Sequence, residues 1–185
     1  MKRIIVGLSG ASGIPIAVKL LEALKADENV ETHLVITKSA EDTIGYESDL
    51  SVDDVKSLAD VTYGLKDIGA AISSGSFKTE GMIICPASMK TVAGIASGYS
   101  DNLLLRAADV VLKERRKLVV VARETPLSKI HLRNLTTLSD AGAIIMPPMQ
   151  TYYNNPKTID DMINSTVGRI LDCFDIDYNN LKRWS

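Results

Sequence analysis

The sequence predicts an α/β protein with a doubly wound, mostly parallel sheet and helices on both faces. Apolar runs of strand length alternate with segments of helical periodicity along the 185 residues, as is typical of βα units that build a parallel sheet. The runs are rich in β-branched residues and lack polar alternation, which indicates strands buried on both faces. These observations predict one Rossmann-like domain over residues 1–185.

The first unit, Lys2–Pro15, contains a strand, a turn of small residues and the start of a helix. Three glycines and two serines follow the apolar run Arg3–Val6 within seven positions, and Pro15 suits a first helical turn. Such a turn aims unpaired N–H groups and a helix dipole at one point, which favours a phosphate. The spacing G-x-x-G-x-x-G differs from the dinucleotide fingerprint and no G-K-[ST] follows. A tight turn without a ligand is therefore the alternative.

Apolar runs of strand length and segments with helical periodicity predict the other elements as well. Further strands are expected at Thr32–Thr37, Met82–Cys85, Leu118–Ala122 and Ala143–Met146. Helices are expected over Ile14–Leu24, Lys38–Tyr46, a segment starting at Ser51, Ser88–Ala96, Leu103–Arg116, Ser128–Ala141 and Thr158–Phe174. Residues 62–81 are expected to be irregular, and a loop of this length in a small domain is usually functional or mobile.

The end of the chain, residues 175–185, is polar but carries three large side chains. These are Tyr178, Leu181 and Trp184. An apolar set in a terminal segment predicts that this tail docks on the protein, at the active site or at a subunit interface.

Composition argues against several function classes. A net charge of −2 gives no electrostatic footprint for nucleic acid. No apolar run is long enough to span a bilayer and no signal peptide is recognised, so a cytoplasmic location is expected. Cys85 and Cys173 have no metal-ligand spacing and are expected to be reduced packing residues. With only two histidines, no metal site is expected.

In doubly wound sheets, ligands bind at the carboxyl ends of the strands. The residues predicted at that edge are Ser9–Ser12, Thr37, Glu47, Pro86–Thr91, Arg123, Glu124, Met146–Pro148, Tyr152 and Tyr153. Small polar groups with apolar walls are typical of a flavin or nucleotide pocket. On the long helix, Arg106 and Lys113 lie two turns apart, about 10 Å along the axis. Cations on a largely apolar helix predict an anion or a subunit interface.

Five parts of the sequence, in this order, resemble the UbiX-like flavin prenyltransferases. They are S-G-A-S-G, C-P-A-S-M-K-T, L-L-R-A-A-D-V-V-L-K-E-R-R, R-E-T-P-L-S-K-I-H-L and a late Tyr, Arg and Trp. The resemblance implies a flavoprotein that joins a dimethylallyl group from dimethylallyl phosphate to N5 and then C6 of reduced FMN, without a metal. It also implies a homododecamer, with sites at subunit junctions, whose prenylated FMN serves a UbiD-type decarboxylase.

The resemblance also implies roles for individual residues. The FMN-binding residues would be Gly10, Ala11, Ser12, Thr37, Ser88, Met89, Lys90, Thr91 and Arg123. The prenyl phosphate would be bound by Arg106, Lys113, Tyr153 and Arg169, some of them from a neighbouring subunit. The catalytic residues would be Ser12, Glu47, Glu124 and Trp184. The two glutamates would handle protons near the flavin, and the tryptophan would cover the prenyl group.

These roles agree with the chemistry of allyl transfer. Breaking the C–O bond builds negative charge on the phosphate, which Arg and Lys stabilise. It also builds positive charge on the allyl carbon, which an aromatic face stabilises by ~2 kcal/mol when dry. Ring closure at C6 requires a base for the proton of that carbon. Many prenyl-transferring enzymes bind a metal through a D-D-x-x-D motif. Asp53-Asp54 and Asp160-Asp161 lack the third acid of that motif, which is consistent with a reaction without a metal.

Two departures and two alternatives accompany the resemblance. Ala87 replaces the second cysteine of the more usual C-P-C-S, and Arg133 stands where a Glu is common.

One alternative is an FMN-dependent cysteine decarboxylase, although those relatives carry P-A-S-A-N-T and this chain has P-A-S-M-K-T. The other is a non-catalytic FMN-binding accessory subunit of an aromatic-acid decarboxylase. A monophosphate and a diphosphate donor are both compatible with these residues, as are ubiquinone synthesis and phenolic-acid breakdown.

Overall fold

The computed structural model describes residues 1–183, so that Trp184 and Ser185 lie outside the described part of the chain. Its strands are β1 (Lys2–Leu8), β2 (Val30–Ile36), β3 (Val61–Tyr63), β4 (Gly81–Ala87), β5 (Lys117–Ala122) and β6 (Ile144–Ile145). Its helices are α1 (Ile14–Lys25), α2 (Lys38–Glu47), α3 (Val52–Lys56), α4 (Met89–Ala96), α5 (Leu103–Lys113), α6 (Lys129–Asp140) and α7 (Ile159–Asp172). None of these seven helices is long and apolar enough to cross a membrane.

The six strands form one sheet in the order β3-β2-β1-β4-β5-β6, and every neighbouring pair is parallel. The prediction of a doubly wound, mostly parallel sheet is confirmed. The strand order reverses between β1 and β4, which pair from Ile4↔Gly81 to Gly7↔Ile84. A reversal of this kind creates the crevice in which such sheets bind ligands.

Helices cover both faces of the sheet, and each face has its own apolar core. On one face α1 packs over β2 and β4, and α7 packs beside α1, through fully buried residues such as Leu21 and Leu171. On the other face α5 packs over β4 and β5, and α4 packs beside α5, through buried residues such as Val92 and Leu104. Because the central strands are buried on both sides, nearly all their residues are apolar rather than alternating.

Most element ends lie within one or two residues of those expected, and the three elements β3, α5 and β6 differ for reasons that the structure shows. Strand β3, Val61–Tyr63, begins one residue before the segment expected to be irregular, and at three residues it is too short to show a period. Helix α5 ends at Lys113 instead of Arg116, because Arg115 takes a left-handed conformation with φ of 56°. Strand β6 keeps only two residues, since it lies at the edge of the sheet.

The long segment that follows β3 is tied to α5 and to the residues just after that helix. The guanidinium of Arg116 donates to the carbonyl oxygens of Gly75 (2.6 Å) and Phe77 (2.8 Å). The Nε of Arg106 donates to the carbonyl of Ser73 (3.2 Å). This segment also contains a single 3-10 turn, Ala71–Ser73, so it is held in place despite its lack of regular structure.

Candidate functional site

A cavity of about 490 Å³ opens at the carboxyl ends of β1, β2 and β4, next to the reversal of strand order. Its polar end is formed by Ser9, Gly10, Thr37, Ser39, Ser88 and Thr91. Its apolar wall is formed by Leu65, Leu104 and Leu105, and Tyr99 lies at its margin. The volume and the mixture of a few polar groups with apolar walls are typical of a small-molecule site.

The side chain of Ser9 joins the ends of the two central strands. Ser9 is fully buried, and its hydroxyl donates to the carbonyl oxygen of Pro86 (3.0 Å). The hydroxyl oxygen of Ser9 also accepts from the backbone N–H of Ser88 (2.8 Å). This pair of hydrogen bonds fixes the turn after β1 against the turn after β4, and therefore sets the shape of the polar end of the cavity.

Two helix N-termini reach the polar end of the cavity. Thr37 caps α2 by accepting from the N–H of Ala40 (3.2 Å), and Ser88 caps α4 by accepting from the N–H of Thr91 (3.4 Å). Each cap occupies the third N–H of its helix and leaves the first two for a ligand. Lys38 and Lys90 also line the cavity. This end of the cavity therefore favours an anion.

Glycine is required at two positions of the turn after β1. A Cβ atom at Gly10 would lie 2.3 Å from the Cβ of Ser39, so only glycine allows the turn to approach α2 this closely. Gly13 has a φ of 131°, and a Cβ there would lie 3.3 Å from the ring of Pro86. The small-residue motif is therefore needed to bring the ends of β1, β2 and β4 together.

Glu47, the last residue of α2, binds the N-terminus of α1. Its Oε2 accepts from the N–H groups of Gly13 (2.8 Å) and Ile14 (2.9 Å), and the hydroxyl of Ser12 also donates to this carboxylate. Burial by itself raises the pKa of Glu47, but these hydrogen bonds and the charge of Arg123 outweigh it, so the pKa lies below its ordinary value. Glu47 is therefore ionised at neutral pH and holds the turn.

The structure brings about half of the residues expected to bind FMN to the wall of this cavity. These are Gly10, Thr37, Ser88, Lys90 and Thr91. Ala11, Ser12 and Met89 are their chain neighbours but do not line the cavity. Arg123 lies in the turn after β5, where its N–H donates to the carbonyl of Ala87 (3.0 Å). The exposed Glu124 accepts from the N–H of Thr125 (3.0 Å) in the same turn.

The residues expected to bind the prenyl phosphate do not gather at this cavity within one chain. Arg106, the fourth residue of α5, donates to the carbonyl of Ser73 and to the carboxylate of Asp109 (2.9 Å). Lys113 pairs with Glu114 at the opposite end of α5, just before β5 begins. Arg169 pairs with Asp172 (2.7 Å) near the end of α7.

Tyr153 and Trp184 complete the expected donor set. Tyr153 lies in the exposed segment between β6 and α7. Trp184 lies outside the described residues, so its expected role over the prenyl group stays a prediction.

Several cavity residues have no role that the sequence predicts. Ser9 is expected at the rim, but its burial and its two hydrogen bonds are not evident from its position in the motif. Ser39, Leu104 and Leu105 line the cavity because α2, α4 and α5 pack over the strand ends. No local pattern carries that information. Within residues 1–183, no cluster of His, Cys, Asp and Glu could hold a metal ion.

Comparisons with known proteins agree on one family. Residues 1–173 match the profile of the family described as Flavoprotein. A probable UbiX-like flavin prenyltransferase of Streptomyces sp. (strain D7) is 55% identical over 183 residues, which is 99% of this chain and 92% of that protein.

Two solved structures superpose on this chain over almost its whole length. One is a dodecameric FMN-dependent UbiX-like decarboxylase from Escherichia coli O157:H7, with a TM-score of 0.98, 52% identity and 99% of both chains covered. The other is AnUbiX (PadA1) in complex with FMN and dimethylallyl pyrophosphate, with a TM-score of 0.97 and 51% identity, covering 100% of this chain and 97% of that one.

Replacing Glu47 by Gln should lower the free energy of unfolding at neutral pH by about 1 kcal/mol, because it removes the charged cap of α1. Since the folded-state pKa of Glu47 lies below its unfolded value, this stabilisation is present above the unfolded pKa and disappears as the pH falls through the folded one. Urea denaturation at neutral pH and at about pH 3 measures the difference.

The matched control for this prediction is Glu22→Gln on the exposed side of α1, where the carboxylate pairs with Lys19 at 3.7 Å. An exposed pair of this kind should contribute less than about 0.5 kcal/mol. A Glu47→Gln effect of the same size at both pH values would show that the charge of Glu47 does not stabilise the turn.

Proposed function

This chain belongs to the flavoprotein family and, within it, to the UbiX-like flavin prenyltransferases, and from this membership we propose its reaction. It is a prenyltransferase that joins a dimethylallyl group from dimethylallyl phosphate to N5 and C6 of reduced FMN. The single structural observation that supports this reaction is the cavity at the carboxyl ends of β1, β2 and β4, where two helix N-termini and an apolar wall meet.

The cavity fits FMN in size and in chemistry. Its volume of about 490 Å³ lies within the range of small-molecule sites. Gly10, Thr37, Ser88 and Thr91 would hold the polar parts of FMN, together with the N–H groups in the first turns of α2 and α4. The apolar wall suits an aromatic ring system. When bound, reduced FMN supplies the nucleophilic positions that accept the prenyl group.

We propose that neighbouring subunits complete the site for the prenyl donor. Within one chain, Lys113 and Arg169 lie on helix segments remote from the cavity, and both side chains are substantially exposed. Exposed cations of this kind can bind the phosphate of the donor in a neighbouring copy and stabilise the charge that it gains on leaving. The solved relative from Escherichia coli O157:H7 is dodecameric, and a homododecamer is proposed for this chain.

Three residues are proposed to handle protons and orient the reactants. Glu124 is exposed at the end of β5 and is the candidate for the base that removes the C6 proton. The hydroxyl of Ser12 is oriented by Glu47, whose carboxylate also fixes the turn after β1. Because the pKa of Glu47 is lowered, this carboxylate can accept a proton at neutral pH but has none to donate.

The product, prenylated FMN, is proposed to serve a UbiD-type decarboxylase. We also propose a cytoplasmic location, since Cys85 and Cys173 are both free thiols and a reducing compartment keeps thiols free. The cysteine-decarboxylase alternative has less support, because Lys90 stands at the cavity in place of the Asn expected in those relatives. A metal-independent reaction stays a prediction.

The first test is an anaerobic incubation of the protein with reduced FMN and dimethylallyl phosphate, with a parallel incubation with the diphosphate. The mass of the released flavin should rise by one prenyl unit, and samples without protein should show no rise. If the flavin mass is unchanged with both donors, the proposed reaction is wrong. FMN that stays bound and unchanged would favour an accessory FMN-binding subunit instead.

Glu124→Gln should leave FMN affinity unchanged and lower the rate of prenylated FMN formation by about 100-fold, because an amide cannot take the C6 proton. The rate is measured in single turnovers with FMN-loaded protein. Glu28→Gln, an exposed change in the turn between α1 and β2, is the matched control and should keep the full rate. Normal turnover by Glu124→Gln would remove Glu124 from the mechanism.

A further inference from the structure

The described part of the C-terminal tail lies along one face of α7. The hydroxyl of Tyr178 donates to Oδ1 of Asn164 (2.6 Å). One turn further along the helix, a Cβ at Gly168 would lie only 2.7 Å from the Cβ of Leu181, so the leucine packs directly on the bare backbone of the helix. Contacts four residues apart on a helix share one face, and the tail therefore follows the helix axis.

The next contact along α7 is made by Asp172, whose carboxylate accepts hydrogen bonds from two arginines. Arg183 binds Asp172 through both guanidinium Nη atoms, with Nη2 to Oδ1 at 2.7 Å and Nη1 to Oδ2 at 3.1 Å. Arg169 donates from Nη1 to the same Oδ2, at 2.7 Å. The Asp172 side chain is only 20% exposed, whereas the arginines are 56% and 62% exposed. The hydrogen bond from Arg183 is the main reason why the pKa of Asp172 lies below its usual value.

We propose that Arg183 is a positioning residue that keeps Arg169 available for the phosphate of the prenyl donor. The proposal rests on the proposed function, in which Arg169 binds that phosphate. Asp172 carries one negative charge and faces two guanidinium groups. Because Arg183 occupies both carboxylate oxygens, Asp172 stays paired when Arg169 turns to a phosphate. Without Arg183, the carboxylate would compete with the phosphate for Arg169.

A second contact places the tail beside Tyr153, another of the residues expected to bind the donor. The side-chain amide of Asn154 donates to the carbonyl oxygen of Lys182 (2.9 Å). Asn154 follows Tyr153 in the chain. Residues 182 and 183 thus contact both the Tyr153 segment and the Asp172–Arg169 pair, so the tail is in a position to hold these two parts of the donor site in register.

The test measures binding of dimethylallyl phosphate to protein loaded with oxidised FMN, so that no transfer accompanies binding. Arg183→Ala should weaken donor binding about fivefold, because Asp172 then retains Arg169. Adding Asp172→Asn to this variant should restore binding to within about twofold of wild type, because the competing carboxylate is gone. FMN affinity should stay constant in both variants.

Restored donor binding in the double variant distinguishes the positioning role of Arg183 from a role in docking the tail, because both variants weaken the docking. If the double variant binds the donor as weakly as Arg183→Ala, or if Arg183→Ala binds it normally, the role of Arg183 is overturned while the proposed function stands. Lys19→Ala, which removes another ion pair of α7 (Lys19–Asp160, 3.1 Å), is the matched control and should bind normally. A wild-type protein that binds no donor would overturn the proposed function as well.

Discussion

The hydroxyl of Ser9 is the contact on which the rest of the site depends. It is buried between the two central strands, where it donates to Pro86 and accepts from Ser88. A hydroxyl can do both at once, and a buried polar group left without a partner costs about 1–3 kcal/mol. This contact fixes the backbone of Ser88, which caps α4. The buried hydroxyl of Ser9 therefore helps to set the direction in which the N-terminus of α4 points.

The turn after β1 is held from its other side by a charge. Glu47 reaches from the end of α2 to the first N–H groups of α1, and it orients Ser12 in doing so. The neutral contact at Ser9 and the charged contact at Glu47 hold the same short segment from two directions. The glycines at positions 10 and 13 are required because this segment passes close to Ser39 and Pro86. The cavity is therefore largely formed before a ligand enters.

The fold also explains why one chain gathers only part of the expected site. Helix α5 starts at the cavity, and its 11 residues carry the chain roughly 16 Å along its axis before Lys113 is reached. Lys113 therefore lies remote from the cavity, and Arg169 lies exposed near the end of α7. The separation of these cations from the cavity agrees with the proposal that the flavin cavity belongs to one subunit and that other subunits complete the donor site.

Local patterns predict the fold class and most elements, since strands buried on both faces and amphipathic helices differ in period. They miss β3, whose three residues show no period, and they do not show that Lys113 lies at the end of α5 remote from the cavity. Contacts between distant segments could not be predicted. Glu47 caps a helix 33 residues away in sequence, and Leu104 reaches the cavity only after α5 packs on the sheet.

The most direct test of the proposed flavin site is a crystal structure of this protein grown with FMN. We expect FMN in the cavity at the carboxyl ends of β1, β2 and β4, with its phosphate oxygens about 3 Å from N–H groups in the first turn of α2 or α4. FMN bound elsewhere on the chain, with that cavity blocked or occupied by side chains, would contradict the assignment.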